Sequence, residues 1–174
     1  MKFAAIAAFL FLTFTPAAIQ AKAVTFPADS PQFSVTIDDS WNPQITSANI
    51  ISAQPSGAPF AISIFPCIST TAPTAVEETL NEVEKRFTDV TLGKLAHFTN
   101  RNRVTFLERY GAGKDGSSDR EMLIAAFTID GTHYYGLFQA GTPPGTKQYA
   151  GDVVAILKSI APIEGIKHEP QRGR

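Results

Sequence analysis

Phe33-Ser34-Val35-Thr36-Ile37 alternates apolar and polar residues, the period of a strand buried on one face. With Val24–Phe26 just before it, this predicts two short strands around Pro27 and Pro31. Asp38-Asp39-Ser40 then turns the chain into Trp41. Ile45–Gln54 is rich in β-branched residues and reads as one strand, and Phe60–Phe65 reads as another, apolar on both sides. Pro55-Ser56-Gly57 between them is turn chemistry. The pattern next shifts to a helical period over Pro73–Thr88. Val76, Leu80, Val83 and Phe87 form one stripe, and Thr74 with Glu77 suggests a capping box. The charged residues Glu78, Glu82, Glu84, Lys85 and Arg86 fall off that stripe and read as a solvated surface.

Three further strands follow, Arg103–Tyr110, Glu121–Ile129 and Thr132–Ala140. The second carries Leu123, Ala125, Phe127 and Ile129 on one side and Met122, Ile124 and Ala126 on the other, so both its faces need cover. Asp130-Gly131 predicts a two-residue type I′ hairpin, whereas Lys114–Ser118 reads as a longer exposed loop. A second helix spans Thr146–Ile160, striped by Tyr149, Val153, Ile156, Leu157 and Ile160, and Pro162 stops it. Glu164–Arg174 has no apolar period and is expected to be a disordered tail. Strands in runs, interrupted by two helices, give an α+β fold: an antiparallel β-sheet of about five to seven strands with helices packed on its faces. That order excludes a doubly wound parallel sheet.

The beginning of the chain has a different character. Met1-Lys2 is followed by the uncharged run Phe3–Phe14, then Pro16 and Ala21-Lys22-Ala23, the order of a secretory signal peptide cut after Ala23. The apolar run is shorter than the roughly 20 residues a spanning helix needs, so no transmembrane segment is expected in the mature chain. The expected organisation is a signal peptide over 1–23, a single domain over 24–163 and a tail over 164–174, in the periplasm or secreted. Removing the leader deletes Lys2 and Lys22 but no acid, which takes the formal charge from −1 to −3. Such a mild balance predicts no nucleic-acid partner. Cys67 is the one cysteine in the chain, so no intramolecular disulfide can form.

Three stretches carry a resemblance. They are Phe33–Ile37 leading through Asp39-Ser40 to Trp41, the pair Ile124–Ile129 and His133–Gln139 joined at Asp130-Gly131, and the closing run from Tyr149 through Ile156-Leu157-Lys158-Ser159-Ile160 to Pro162. Together they resemble the PsbP-like superfamily of secreted α/β/α sandwiches, which includes bacterial DcrB-type proteins. Ile160 stands where the family often has an aromatic residue, and the approach to Trp41 lacks its usual proline and glycine. The resemblance implies a non-enzymatic accessory or adaptor protein.

The residues reveal no catalytic constellation. His97, His133 and His168 have no metal-binding spacing, so no metal or cofactor is expected. His133 beside Asp130 reads as a surface pair at a turn. Ser117-Ser118 lacks a nucleophile elbow, and Gly111-Ala112-Gly113-Lys114 lacks the full phosphate-loop spacing and reads as a hairpin loop. Glu108 and Glu121 are expected to pair with Arg103, Arg109 or Arg120 across strands. Cys67 lies in the apolar run Phe60–Ile68 and reads as a core residue, the alternative being a reactive thiol. Trp41, Tyr110, Tyr134 and Tyr135 are candidates for an interaction or ligand face, since each joins a large apolar surface to a polar tip. The expected function is an exported, non-catalytic accessory or protein-interaction domain of the cell envelope. The alternative is a carrier of a small apolar or amphipathic ligand.

Overall fold

In the computed structural model the first hairpin forms as the alternation predicts. The structure describes residues 21–163 except Ala48, so the expected leader up to residue 20 and the expected tail 164–174 lie outside the described residues. β1 (Ala21–Phe26) pairs antiparallel with β2 (Phe33–Asp38), and the Asp38 carboxylate caps a 3-10 turn, Asp39–Trp41, by accepting from the Ser40 N–H at 2.8 Å. The single strand expected over Ile45–Gln54 is instead two, β3 (Gln44–Ile45) and β4 (Ile51–Ala53), which pair with each other. The Thr46 carbonyl and hydroxyl take the N–H groups of Asn49 and Ile50, which reverses the chain inside that stretch. β5 (Phe60–Pro66) follows.

α1 (Ala72–Glu84) starts before Pro73, and its cap is Thr71 in place of Thr74. The ring of Pro73 fits the first turn, where no N–H partner is needed. The helix ends at Glu84, short of Thr88, and Phe87 folds back into the core while the chain enters β6 (Thr88–Leu92) and β7 (Ala96–Thr99). Neither strand is legible in the sequence: β7 is almost wholly exposed, and in β6 only Val90 and Leu92 are half-buried, too short a pattern to declare itself. β8 (Thr105–Asp115) and β9 (Ser118–Thr128) form a long hairpin. Gly111–Lys114 lies within β8, and the loop shrinks to Gly116-Ser117, with Gly116 at φ 63° supplying the first position of a type II′ turn. The next connection goes the other way. β10 (Tyr134–Gly141) pairs Tyr134 with Thr128, leaving a five-residue loop where a two-residue turn was expected. The Asp130 carboxylate accepts from the N–H groups of Thr132 and His133, both at 2.8 Å, and this side-chain turn replaces the tighter one. α2 (Pro143–Ser159) begins three residues earlier than expected, capped by Thr142, and β11 (Ala161–Pro162) closes the chain against β2.

The strands make two sheets. A small one has the order β1-β2-β11, and an eight-stranded one has the order β3-β4-β5-β10-β9-β8-β6 with β7 also on β8. The α+β class holds, with more strands than expected. β9 and β10 lie in the middle, with side chains buried on both faces. On one face Leu123, Ala125, Phe127, Tyr135 and Leu137 pack under the small sheet and α2. On the other, Met122, Ile124 and Ala126 pack under α1. Gly136 permits the close approach of α1, since a Cβ there would meet the Thr79 Oγ1 at 2.5 Å and the Phe65 ring at 2.6 Å.

Phe33 is the hub of the first face. It is 0% exposed and meets Phe26, Phe127 and Tyr135 at ring-centroid distances of 5.6, 5.3 and 4.9 Å. A Phe33→Ala variant is expected to lose about 3–5 kcal/mol of unfolding free energy, read as a drop in the urea midpoint. A loss below about 1 kcal/mol would show that the two sheets are held together elsewhere.

Candidate functional site

A helix with its side chains is about 10 Å across, which spans two strands spaced about 4.8 Å apart. α1 sits over β9 and β10 in this way, and the outer face of β5 is left half-covered at Ala61, Ser63 and Phe65. Between that strip and the helix runs an open groove of about 400 Å³. Phe65 and Phe138 form its floor, Ile50 and Pro66 its far side, and Glu78 and Glu82 line its helix wall. It continues past Phe138 into a smaller cavity of about 170 Å³ at Val83, Arg86 and Phe87.

Beside Glu78, outside the groove lining itself, stands Ile68, 93% exposed. It is held there by the Glu78 carboxylate, which accepts from the Ile68 and Ser69 N–H groups at 3.0 Å and from the Ser69 hydroxyl at 2.6 Å. Burial pushes the Glu78 carboxyl upward, but these hydrogen bonds outweigh it and hold the group below its ordinary range. Glu82, one turn on, pairs at 2.5 Å with Lys85 on the exposed side of the helix.

The sequence-predicted residues do not share a face. Trp41 is 2% exposed, edge-on to Phe60 and Tyr149 at 5.5 Å each. Tyr135 is buried in the same core, where burial, reinforced by the charge of Asp130, pushes its phenol up to about 12. Tyr134 is half-buried on the opposite face of the sheet, against the α1 core. Tyr110 is 59% exposed on β8, its phenol raised by partial burial and then by Glu108. The alternation of a strand sends Tyr134 and Tyr135 to opposite layers. Beside Trp41 there is a surface cavity of about 320 Å³ bounded by Asp38, Arg101, Asp152 and Ser159. Ala155, Ile156 and an edge of Trp41 also line it, while most of the indole belongs to the packed core.

Cys67 lies just past the end of β5, half-buried and packed against the α1-side core at its margin. Its N–H donates to the Tyr134 carbonyl at 2.8 Å. Burial, with the Glu78 charge adding, pushes the thiol up to about 11. His133 Nδ1 meets Asp130 Oδ2 at 2.5 Å on the β9–β10 loop. Burial raises the Asp130 carboxyl, but the hydrogen bonds from His133 and Thr132 prevail and depress it strongly. His97 is exposed on β7 and His168 lies outside the described residues. Ser117 occupies the tight β8–β9 turn. The arginines pair differently from expectation: Arg109 reaches Glu77 on α1 at 3.6 Å, and Arg120 reaches Asp115 at 3.7 Å. Among the described residues no three His, Cys, Asp or Glu side chains converge as metal ligands. No described helix is long and apolar enough to cross a membrane.

Sequence reasoning missed the groove. Phe65 and Phe138 read as ordinary sheet residues, and Glu78 and Glu82 as a solvated face. The available signal was a count: two helices cannot cover both faces of so many strands.

No protein-family model matches the chain, and no curated protein matches it. Among the solved structures that share its fold are two from bacteria. One is the cyanobacterial PsbP (CyanoP) of Synechocystis sp. PCC 6803, with a TM-score of 0.61 at 9% identity, covering 87% of this chain and 99% of its own. The other is PA94 of Pseudomonas aeruginosa, a protein of unknown function, with a TM-score of 0.52 at 14% identity, covering 82% of this chain and 97% of its own.

Two outcomes follow from the titrating groups. Asp130 has a folded pKa below its unfolded value, so its stabilisation is present above about pH 4 and is lost as pH falls toward the folded pKa. Asp130→Ala is therefore expected to destabilise by about 1–3 kcal/mol at pH 7, with the gap to wild type closing in acid. A gap independent of pH would mean that the carboxylate's charge plays no part. For Cys67, a thiol pushed from 9.0 to about 11 holds about a hundredfold less thiolate at neutral pH. Alkylation by iodoacetamide is expected to be slower than that of a free thiol by about tenfold, because the more basic thiolate is also the stronger nucleophile. A rate equal to or above the free thiol's would restore the reactive-thiol reading.

Proposed function

From this PsbP-like fold, we propose that the chain is an exported, non-catalytic accessory domain that binds a partner protein across the α1 groove. The observation that carries the reading is Ile68, a large apolar side chain held almost fully in water, its backbone hydrogen-bonded to Glu78 of the open groove's helix wall. Single exposed apolar residues are ordinary, but one whose backbone is fixed by a residue lining a groove has the form of an interface anchor. Export rests on the order of residues 1–23. Among the described residues Ala21, Lys22 and Ala23 are exposed and Val24 is the first in the core, so cleavage after Ala23 would shorten β1 by its three exposed residues. The protein would act in the periplasm or outside the cell.

A second reading, a carrier of a small apolar or amphipathic ligand, draws on the groove's volume. About 400 Å³ lies within the range of small-molecule sites, about 300–1,000 Å³. Native mass spectrometry of protein purified from its own envelope would show a bound adduct on that reading.

The test places a photo-crosslinking amino acid at position 68 or 154 in cells that naturally produce the chain. Val154 is an exposed apolar residue on α2, away from the groove. A mature mass beginning at Val24 and a discrete protein adduct from position 68 but not 154 are expected. Equal adducts from both positions, or none from 68, would overturn the partner reading, and a retained leader would overturn the export reading.

A further inference from the structure

We propose that the segment received by the α1 groove is a peptide stretch of a partner protein that combines lysine or arginine with large apolar side chains. This rests on the binding role proposed above and adds the chemistry of what is bound. The walls are unlike one another. The helix side presents Glu78 and Glu82, four residues apart and so on one side of α1. The sheet side presents Ile50, Ser63, Phe65, Pro66 and Phe138, which carry no charge.

The two carboxylates therefore have no cation facing them across the groove. Glu78 stays ionised, because the hydrogen bonds from Ile68 and Ser69 favour its charged form. The partner of Glu82 is Lys85, and both side chains are more than half exposed, so that contact is exchanged at little cost. A basic side chain entering from solvent would meet carboxylates on one wall and aromatic rings below, where cations are also attracted. Apolar side chains of the same segment would cover Phe65 and Phe138, with Ile68 packing over them from beside Glu78.

The chain already contains a small version of this arrangement. At the far end of the groove the Arg86 guanidinium lies 5.3 Å from the centroid of the Phe87 ring, while its Nη2 donates to Asp115 Oδ2 at 3.1 Å. A cation there rests on an aromatic face with a carboxylate at its tip. The Phe65–Phe138 floor beneath Glu78 and Glu82 offers the same pair of partners, with Arg86 confined to the adjoining cavity and no cation lining the wider part of the groove.

The experiment is an amide chemical-shift titration of the purified, leader-processed protein with the peptide Gly-Lys-Leu-Lys-Phe-Lys-Leu-Gly. The same peptide with glutamate in place of lysine is the control. Shifts confined to the groove (Phe65, Ile68, Ser69, Phe138) are expected from the lysine peptide and none from the glutamate peptide. Glu82→Lys is expected to weaken binding by about tenfold or more. Glu84→Lys makes the same charge change outside the groove lining and is expected to change it by less than about twofold. Both sites are exposed, and an unchanged melting temperature would confirm that the variants fold. Equal weakening by the two variants would reduce the effect to net charge and overturn the proposal, as would shifts scattered over the surface or none at all. If both peptides shift the groove equally, the basic chemistry fails while the binding role stands. If neither does so while position 68 still yields its adduct, the chemistry of the partner segment is again what fails.

Discussion

The structure depends on the contact between its two sheets, which is made of aromatic rings. Phe26 and Phe33 come from the small sheet, and Phe127 and Tyr135 from neighbouring strands of the large one. Phe106 extends the group from β8, with its centroid 5.0 Å from that of Phe127. Rings in tilted and edge-on arrangements add to the burial of their area. With this layer in place, α2 is positioned on the same side by polar staples. Asn100, 5% exposed, donates to the carbonyls of Leu157 and Ile160 at 2.9 and 2.8 Å. Its own carbonyl accepts from Asn102 and Val104, so one side chain satisfies the end of a helix and the entry to a strand. Ser159 Oγ completes the link by accepting from the Thr36 N–H at 2.8 Å.

The two faces of the large sheet are consequently unequal. One is covered by a three-stranded sheet and a helix, the other by α1 over β9 and β10. β5 therefore buries Phe60, Ile62 and Ile64 completely while Ala61, Ser63 and Phe65 stay half-covered. The groove is the direct result of laying one helix on a sheet wider than itself. At the other end of the sheet, Asp89 at φ 53° and the register shift between Thr88 and Thr91 distort β6. A twisted edge of that kind resists pairing with another chain.

Much of the fold was legible because alternation and helical period report burial, and here burial is regular along β2, β5, β9 and α1. The central strands declared themselves by being apolar on both sides, as Leu123 to Phe127 and Met122 to Ala126 are. Legibility failed where side-chain hydrogen bonds decide the local path. Asp130 turned an apparent type I′ hairpin into a five-residue loop, Thr46 split one strand into two, and the role of Asn100 depends on a helix almost sixty residues away. The candidate aromatics misled for a related reason. Size and a polar tip are common to core and interface residues, and Trp41 and Tyr135 are used as core. Phe65 and Phe138 gave no local sign of partial exposure, because exposure there depends on the width of the sheet relative to α1.

Glu78 joins the local structure to the proposed recognition. Its carboxylate fixes the Ile68–Ser69 backbone, which sets the position of the exposed isoleucine, and it also contributes negative charge to the wall of the groove. Replacing it would release the loop and remove the charge together, so its loss could not separate architecture from binding. Glu82 differs in that its contact with Lys85 is a surface pair and no backbone depends on it. On the proposed reading, a carboxylate that stabilises little yet lines the groove contributes chiefly to what the groove would accept. Glu78 and Glu82 thus divide the work of the helix wall, the first fixing the loop beside the groove and the second tuning the groove's charge.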